Sequence, residues 1–322
     1  MKINMANIAR NSKAIFYRLR WNKQIYCPNC GSVSIYNTRA GQLHICKDCH
    51  NRFSDTSGTI FHSTKLPLEK WLYAIYLFLE TTRGISSYAL ARMIGVSQPT
   101  AWKMLMKLRK SLDVELDIND GLILDEVFLG ADWSRVPSFK KFALVEPPKP
   151  HWNLTEQELK SYYRSEFMKL AANAKMPVLG ICSLYERKIQ LVSINTNDRK
   201  EFVREYLNNL LGEPDEIPNK PLIITDQGSC YKFLDEHYDT YNHQVCRHDM
   251  NKYSSKDGYS SNKIESNFAH LKRMWRGTYQ MWSSKYNQDY LNEYSWRYSH
   301  RTDNIEERFK SFFSGIYDKE AA

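Results

Sequence analysis

Two sets of side chains in this sequence have the residue types and the spacing to hold metal. The first is a pair of cysteine pairs, Cys27 with Cys30 and, after fifteen intervening residues, Cys46 with Cys49. Each pair is C-x2-C, a gap that lets two thiolates of one turn address the same ion, and two such turns complete a tetrahedron around Zn2+. Four protein ligands leave no open position, so zinc there is structural and holds a segment with too little core to fold alone. His44 and His50 lie close by as substitute ligands, although four thiolates suffice. The second set is carboxylates. Asp125 and Glu126 sit inside the apolar run LILDEVFLG, and Asp226 closes the run PLIITD. A charge in mid-strand is costly without a partner or a metal. Two adjacent carboxylates repel, and a pair of Mg2+ or Mn2+ ions is the usual reason to tolerate that. Such ions activate a water or a 3′-hydroxyl and steady the leaving oxygen when a phosphodiester is displaced. A third group is expected from a helix over 261–275, where Asn262, Glu265, Ala269 and Lys272 share one face. Asn262 or Glu265 completes the metal shell in this reading, and Lys272 holds phosphate or developing charge. Taken singly each piece is weak, because an Asp ending a strand more often caps a turn and a helical Lys is usually solvated. Their joint order carries the reading.

The elements that must position these groups are legible in outline. Residues 1–22 suggest a short leading helix, and short β-like runs separate the cysteine pairs. Residues 67–112 have the spacing of three helices, with Pro67 at one start, Ser86 or Ser87 capping the second, Gly95 ending it, and Ser97 capping the third. The last two have a helix-turn-helix layout. Ser97, Gln98, Thr100 and Lys103 would face a groove, with Lys107, Arg109 and Lys110 near phosphates. An ordinary helical hairpin fits the same pattern nearly as well. From about 118 the texture becomes strand, hairpin (Val178–Leu184 and Lys188–Ile194), helix, strand, strand, helix, an α/β layered order. A strand bearing Asp125, a hairpin, a strand ending in Asp226 and a helix bearing Asn262 and Glu265 some 36 to 39 residues later has the layout of an RNase H-like nuclease.

The expected architecture is therefore multidomain. A zinc ribbon (1–64) and a helix-turn-helix segment (65–115) precede an RNase H-like α/β catalytic domain with a mixed sheet (116–301). That domain carries an insertion at about 132–176, and a C-terminal tail (302–322) follows it. The net charge of +9 favours an acidic partner, most commonly nucleic acid. Seven cysteines, an odd number, and an opening MKINMANIAR without an apolar core argue for a reducing compartment. No apolar run is long enough to span a bilayer, so a soluble, cytoplasmic protein with no membrane partner is expected.

The pieces CPNCGS, CKDCHNRFSDTSGTIFHSTKLPLEKW, LDEVFLG, TDQGSCY, SNKIESNFAHLKR and YLNEYSWRYSHR follow one another in consistent order over roughly residues 20–301. Together they resemble the zinc-ribbon transposases of bacterial insertion sequences, the ISXO-like group with an Asp-Asp-Asn/Glu-Lys signature. The resemblance implies Asp125 and Asp226 as metal carboxylates, Asn262 as the third catalytic position, Glu265 as the alternative acid and Lys272 as the basic group. His248 falls where the group carries a histidine before the last helix, in a phosphate or proton-transfer role. The group usually has two glycines soon after the first acids, whereas this chain has Gly130-Ala131-Asp132. The resemblance further implies terminal inverted repeats and target DNA as partners, a homodimer or higher homo-oligomer on DNA, and a place near the bacterial nucleoid. Along SNFAHLKRMWRGTYQMW most aromatics read as core, with Arg273, Trp275 and Arg276 the preferred DNA contacts. Two rival functions share these features: a DNA-binding regulator on a non-catalytic scaffold, and a nuclease selective for DNA structure rather than end sequence.

Overall fold

The computed structural model describes residues 3–22, 24–37, 43–130, 145–149, 152–173, 175–196, 198–211, 220–236, 242–246 and 258–318. They fall into two compact units, Met1–Asp117 with Tyr185–Gln190 and Ala269–Ala322, and Ile118–Leu184 with Leu191–Phe268.

The first unit opens with α1 (Met5–Trp21), capped by the Asn4 side chain, which accepts from the Asn7 amide. A three-stranded antiparallel ribbon follows: β1 (Ile35–Asn37), β2 (His44–Cys46) and β3 (Arg52–Phe53). Among the described residues its own core is Trp21, Cys27, Cys46 and Phe53, with Ile25, Tyr26, Ile35 and Cys49 packed partly against them, too little apolar surface to hold a fold without a cross-link or metal. The helices α2 (Leu68–Glu80), α3 (Ser87–Ile94) and α4 (Gln98–Lys110) come next. The Ser86 and Ser97 hydroxyls accept from Ala89 and Thr100 amides at the starts of α3 and α4, caps worth about 1 kcal/mol each. Between them Gly95 takes the left-handed conformation that ends α3, φ 64°, which a side-chain-free residue adopts without strain. Leu72, Ile75, Phe78, Leu90, Ile94, Met104, Leu105 and Leu108 are the buried stripes of this helical core.

The second unit is built on a five-stranded sheet of β4 (Leu122–Leu129), β5 (Met176–Ser183), β6 (Ile189–Ser193), β7 (Leu222–Thr225) and β8 (Asn242–Val245), in the order β6-β5-β4-β7-β8. β4 runs antiparallel to β5 and parallel to β7, and β7 is parallel to β8, so the sheet is mixed as expected. β4 is central and buried along most of its length, which is why it reads as a continuous apolar run. Its helices are α5 (Glu156–Asn173), α6 (Arg199–Leu211) and the single turn α7 (Phe233–Glu236). Of the insertion expected at 132–176, Val145, Phe167, Tyr162 and Tyr163 form a small satellite cluster with α5. Residues 132–144, 150, 151 and 174 of it lie outside the described residues.

The chain continues through α8 (Asn262–Arg276), α9 (Asn287–Ser299) and α10 (Ile305–Asp318). Here the structure corrects two expectations. The segment 302–322, expected as a tail, holds α10, whose Phe309, Phe312 and Phe313 are buried in the core of the first unit, where Phe313 lies 6.1 Å from the rings of both Phe16 and Phe61. Arg109 is not a phosphate contact. It is buried, and its Nε donates to Glu293 Oε2 at 2.7 Å, with its guanidinium over the Tyr290 ring at 4.1 Å. Glu293, itself fully buried, also accepts from Arg297 Nε at 2.8 Å and Tyr279 Oη at 2.6 Å. Burial alone would raise the Glu293 carboxyl, but the two guanidiniums outweigh it and hold it below the usual range. The helical segment 65–115 is thus one part of a core completed by the C-terminal helices. No helix among the described residues is long and apolar enough to cross a membrane.

Candidate metal centre and carboxylate site

The four ribbon thiols converge. Cys27 and Cys49 Sγ are 3.5 Å apart, Cys30 and Cys46 Sγ 3.6 Å, and all four lie within 4.8 Å of one another. A tetrahedron with Zn–S bonds of about 2.3 Å has edges of about 3.8 Å, so the cluster has the dimensions for one Zn2+. None of the cysteines is in a disulfide. Each knuckle is closed by backbone bonds, Cys27 N to Ser32 O at 2.8 Å and Cys46 N to Asn51 O at 3.0 Å. The left-handed residues Gly31 and His50, φ 72° and 58°, turn the chain after each pair. The suggestion of His44 as a substitute ligand is corrected. Its ring is buried and engaged by Asn37 Oδ1 at 2.7 Å and Asp55 Oδ1 at 2.9 Å, so it braces the ribbon. His50 is exposed and lies outside the sulfur cluster.

The carboxylate site comes from strand register. β4 and β7 pair in parallel through Leu124↔Thr225, so Asp125, in the middle of β4, and Asp226, just past the carboxyl end of β7, stand next in line on adjacent strands. On the other side Asp125 pairs with Gly180 of β5, and residues paired directly across a sheet share a face. A methyl at position 180 would lie 2.7 Å from the Phe268 ring and 3.0 Å from Ile264 Cδ1. Glycine therefore lets the first turns of α8 settle on the face that carries Asp125. Glu265 sits on those turns, between Ile264 and Phe268, and its Oε1 accepts from the buried Ser261 hydroxyl at 2.6 Å.

The two aspartates are held rather than loose. Asp125 Oδ1 accepts from the Glu126 amide at 2.7 Å, and Asp226 Oδ1 from the Gly228 amide at 2.8 Å. Among the described residues neither forms an ion pair with a cation. Burial above all pushes the Asp125 carboxyl up to about 6; the Glu126 amide works against this, and the charges of Asp226, Glu265 and Glu126 add to it. Among the described residues the thiol cluster is the only group of three or more ligand atoms that all lie within 4.8 Å of one another, and the carboxylates do not form such a group.

Glu126 points the other way, as alternation along a strand requires. There it takes Cys230 Sγ at 3.0 Å and Arg199 Nη1 at 3.4 Å. Burial and the neighbouring Glu126 push the Cys230 thiol up to about 12, making it a protonated hydrogen-bond donor. The Tyr231 hydroxyl is buried with no hydrogen-bond partner among the described residues. Burial raises its pKa well above the ordinary value, with Cys230, Glu126, Asp125 and Asp226 adding to the effect. Asn262, first residue of α8, is exposed. Lys272 is half-buried two turns beyond Glu265, in the part of α8 that belongs to the first unit. His248 lies outside the described residues. Ser261, Cys230 and Tyr231 lie inside the quoted motifs but have no role assigned there; Cys230 is marked by Glu126, 104 positions away, and Ser261 by Glu265, one helical turn on.

On α4 the expected groove-facing set is partly committed elsewhere. The Ser97 and Thr100 hydroxyls bond each other at 2.8 Å, Gln98 Nε2 donates to Ser87 Oγ at 2.8 Å, and Lys107 Nζ donates to the Ile60 carbonyl at 2.9 Å. Lys103 and Lys110 are exposed. Arg273 and Arg276 are exposed too, whereas Trp275 is buried at 4% exposure and cannot stack on a base.

Comparison with known proteins gives the class. Residues 10–52 match the transposase zinc-ribbon domain, and residues 155–299 match the ISXO2-like transposase domain. By these two matches the chain is similar to a transposase zinc ribbon near its start and to an ISXO2-like transposase domain over its second half. The second match takes in Asp226, Asn262, Glu265 and Lys272 and begins after Asp125. An uncharacterized protein in transposable element ISH50 of Halobacterium salinarum is 29% identical over 126 residues, 38% of this chain and 42% of that protein. The chain thus spans less than half the length of that relative.

Proposed function

We propose that this chain is a metal-dependent transposase. It binds the terminal inverted repeats of its element, cleaves DNA strands there, and joins the freed 3′-hydroxyls to target DNA. The observation that carries the reading is the pair Asp125 and Asp226, aligned on adjacent strands by parallel register with Glu265 above the same face and, among the described residues, no cation paired to either aspartate. Divalent Mg2+ or Mn2+, when bound, supplies the charge that activates a nucleophilic oxygen and stabilises the leaving one. The chain's own part is to fix carboxylate oxygens through the Glu126 and Gly228 amides and to keep them on one rigid sheet. The order β6-β5-β4-β7-β8, with its antiparallel and parallel pairs, supports an RNase H-like assignment for this unit.

For DNA reading, α3 and α4 act as a helix-turn-helix with the ribbon beside it in sequence. Lys103 and Lys110 meet phosphate or base edges, and Arg273 and Arg276 add backbone contacts. The protein works as a homodimer or higher homo-oligomer on DNA, in the cytoplasm near the nucleoid. The test is nicking of an end-containing duplex with Mg2+, for which wild type is active and Asp226→Ala is not. Equal nicking by both removes the active-site assignment. Sequence-specific binding without cleavage favours a regulator, and equal cleavage of random DNA favours a structure-selective nuclease.

A further inference from the structure

We propose that Ser261 is a positioning residue of the carboxylate site: its hydroxyl fixes Glu265 over the Asp125 face, which makes Glu265, rather than Asn262, the third metal-holding group. This rests on the metal-dependent reading above. A serine at a helix start ordinarily accepts a hydrogen bond from a backbone amide of the first turn. Here the Ser261 carbonyl receives the amides of Ile264 and Glu265 at 3.0 and 3.2 Å, while its hydroxyl donates to Glu265 Oε1 at 2.6 Å.

Three properties of that bond matter. Ser261 is 1% exposed, so the donor is held in place by its surroundings and does not swing with solvent. Glu265 is exposed, so without this donor its carboxylate has several rotamers open to it. A single donor on Oε1 also leaves Oε2, whose lone pairs are available to a cation. The turn is anchored on both sides, because Ile264 and Phe268 pack over Gly180, the cross-strand partner of Asp125. Lys263, beside it, donates to the Ser183 and Leu184 carbonyls at 2.7 and 3.0 Å, tying the start of α8 to the end of β5. Asn262 has no comparable hold: it is exposed, and its amide N–H donates to Ser260 Oγ at 3.1 Å. Nor does its side chain bring charge to a hard cation that favours carboxylate.

The experiment uses the full chain with Ser261→Ala, Ser261→Thr and Glu265→Gln, and follows Mn2+ binding by electron paramagnetic resonance together with the Mg2+ dependence of nicking. Residues that orient a ligand typically cost 10- to 100-fold in metal affinity when removed. Ser261→Ala is expected to weaken Mn2+ about ten-fold and to raise the Mg2+ midpoint similarly, with most of the nicking rate regained at saturating Mg2+. Ser261→Thr, which keeps the hydroxyl, should stay near wild type. A lower melting temperature for Ser261→Ala with wild-type Mn2+ affinity would assign Ser261 a purely structural role and overturn the proposal. Glu265→Gln keeps an acceptor for the Ser261 hydroxyl and removes the charge, so it decides the matter even if Ser261→Ala folds poorly; unchanged Mn2+ affinity there also overturns it. Wild type that neither binds Mn2+ nor nicks DNA refutes the transposase reading itself. Wild type that does both, with variants to match, refutes only the role of Ser261.

Discussion

The thiol cluster and the carboxylate site are both anionic, yet they are assembled in opposite ways. The four cysteines come as two tight pairs in one small ribbon whose core is little more than Trp21, Phe53 and two of the cysteines themselves. Asp125, Asp226 and Glu265 come from two strands and a helix spread over 140 residues, on a sheet with a core of its own. The ribbon has too little core of its own to fold without a metal, whereas the sheet's buried strands need none to hold them. Glu293 shows a third solution, a buried carboxylate neutralised by Arg109 and Arg297. Against Glu293, the lack of any such cation at Asp125 among the described residues is the informative difference.

Zinc removal should break the comparison most forcefully. Structural zinc contributes on the order of 10 kcal/mol to small ribbons. Cys46→Ser or strong chelation should therefore unfold residues 24–64, read as rapid proteolysis there, while the sheet unit stays protected. Next, Glu293→Ala leaves two buried guanidiniums without their anion, and breaking such a pair costs about 3–5 kcal/mol. Calorimetry should find the first unit strongly destabilised.

Asp125→Asn should act in the other direction. The Asp125 carboxyl sits at about 6 in the folded protein against an ordinary 3.8, so the folded state binds the extra proton between those values. Stability from this group is therefore full below about pH 4 and is lost as pH rises toward 6 and above. In metal-free buffer at pH 7.5, Asp125→Asn should stabilise the protein by on the order of 2 kcal/mol, with the gain vanishing near pH 4. Destabilisation at pH 7.5 would mean that the carboxylate is satisfied by the fold, as Glu293 is. The smallest effect is expected at Lys103→Ala, which should leave stability unchanged and lower the salt slope of DNA binding by about one.

What the sequence made legible follows the same division. The ribbon could be read because its ligands are local, and α3 and α4 could be read because caps and the Gly95 stop are local. The strands bearing Asp125 and Asp226 were visible as apolar runs, but their alignment is a matter of register, which a single run does not encode. Arg109 was misread as a phosphate contact because its partner, Glu293, lies 184 positions away. The Phe309, Phe312 and Phe313 stripe of α10 was passed over as a tail because a short terminal helix declares its burial only through the core it completes. Trp275 follows the same rule: an aromatic beside arginines looks like a base-stacking residue until packing buries it.

The most direct test of the central claim is a crystal of the protein soaked in Mn2+ and measured for anomalous scattering. Manganese is expected between the carboxylates of Asp125 and Asp226, with Glu265 alongside. Manganese bound elsewhere, with those two carboxylates unligated at saturating Mn2+, would contradict it.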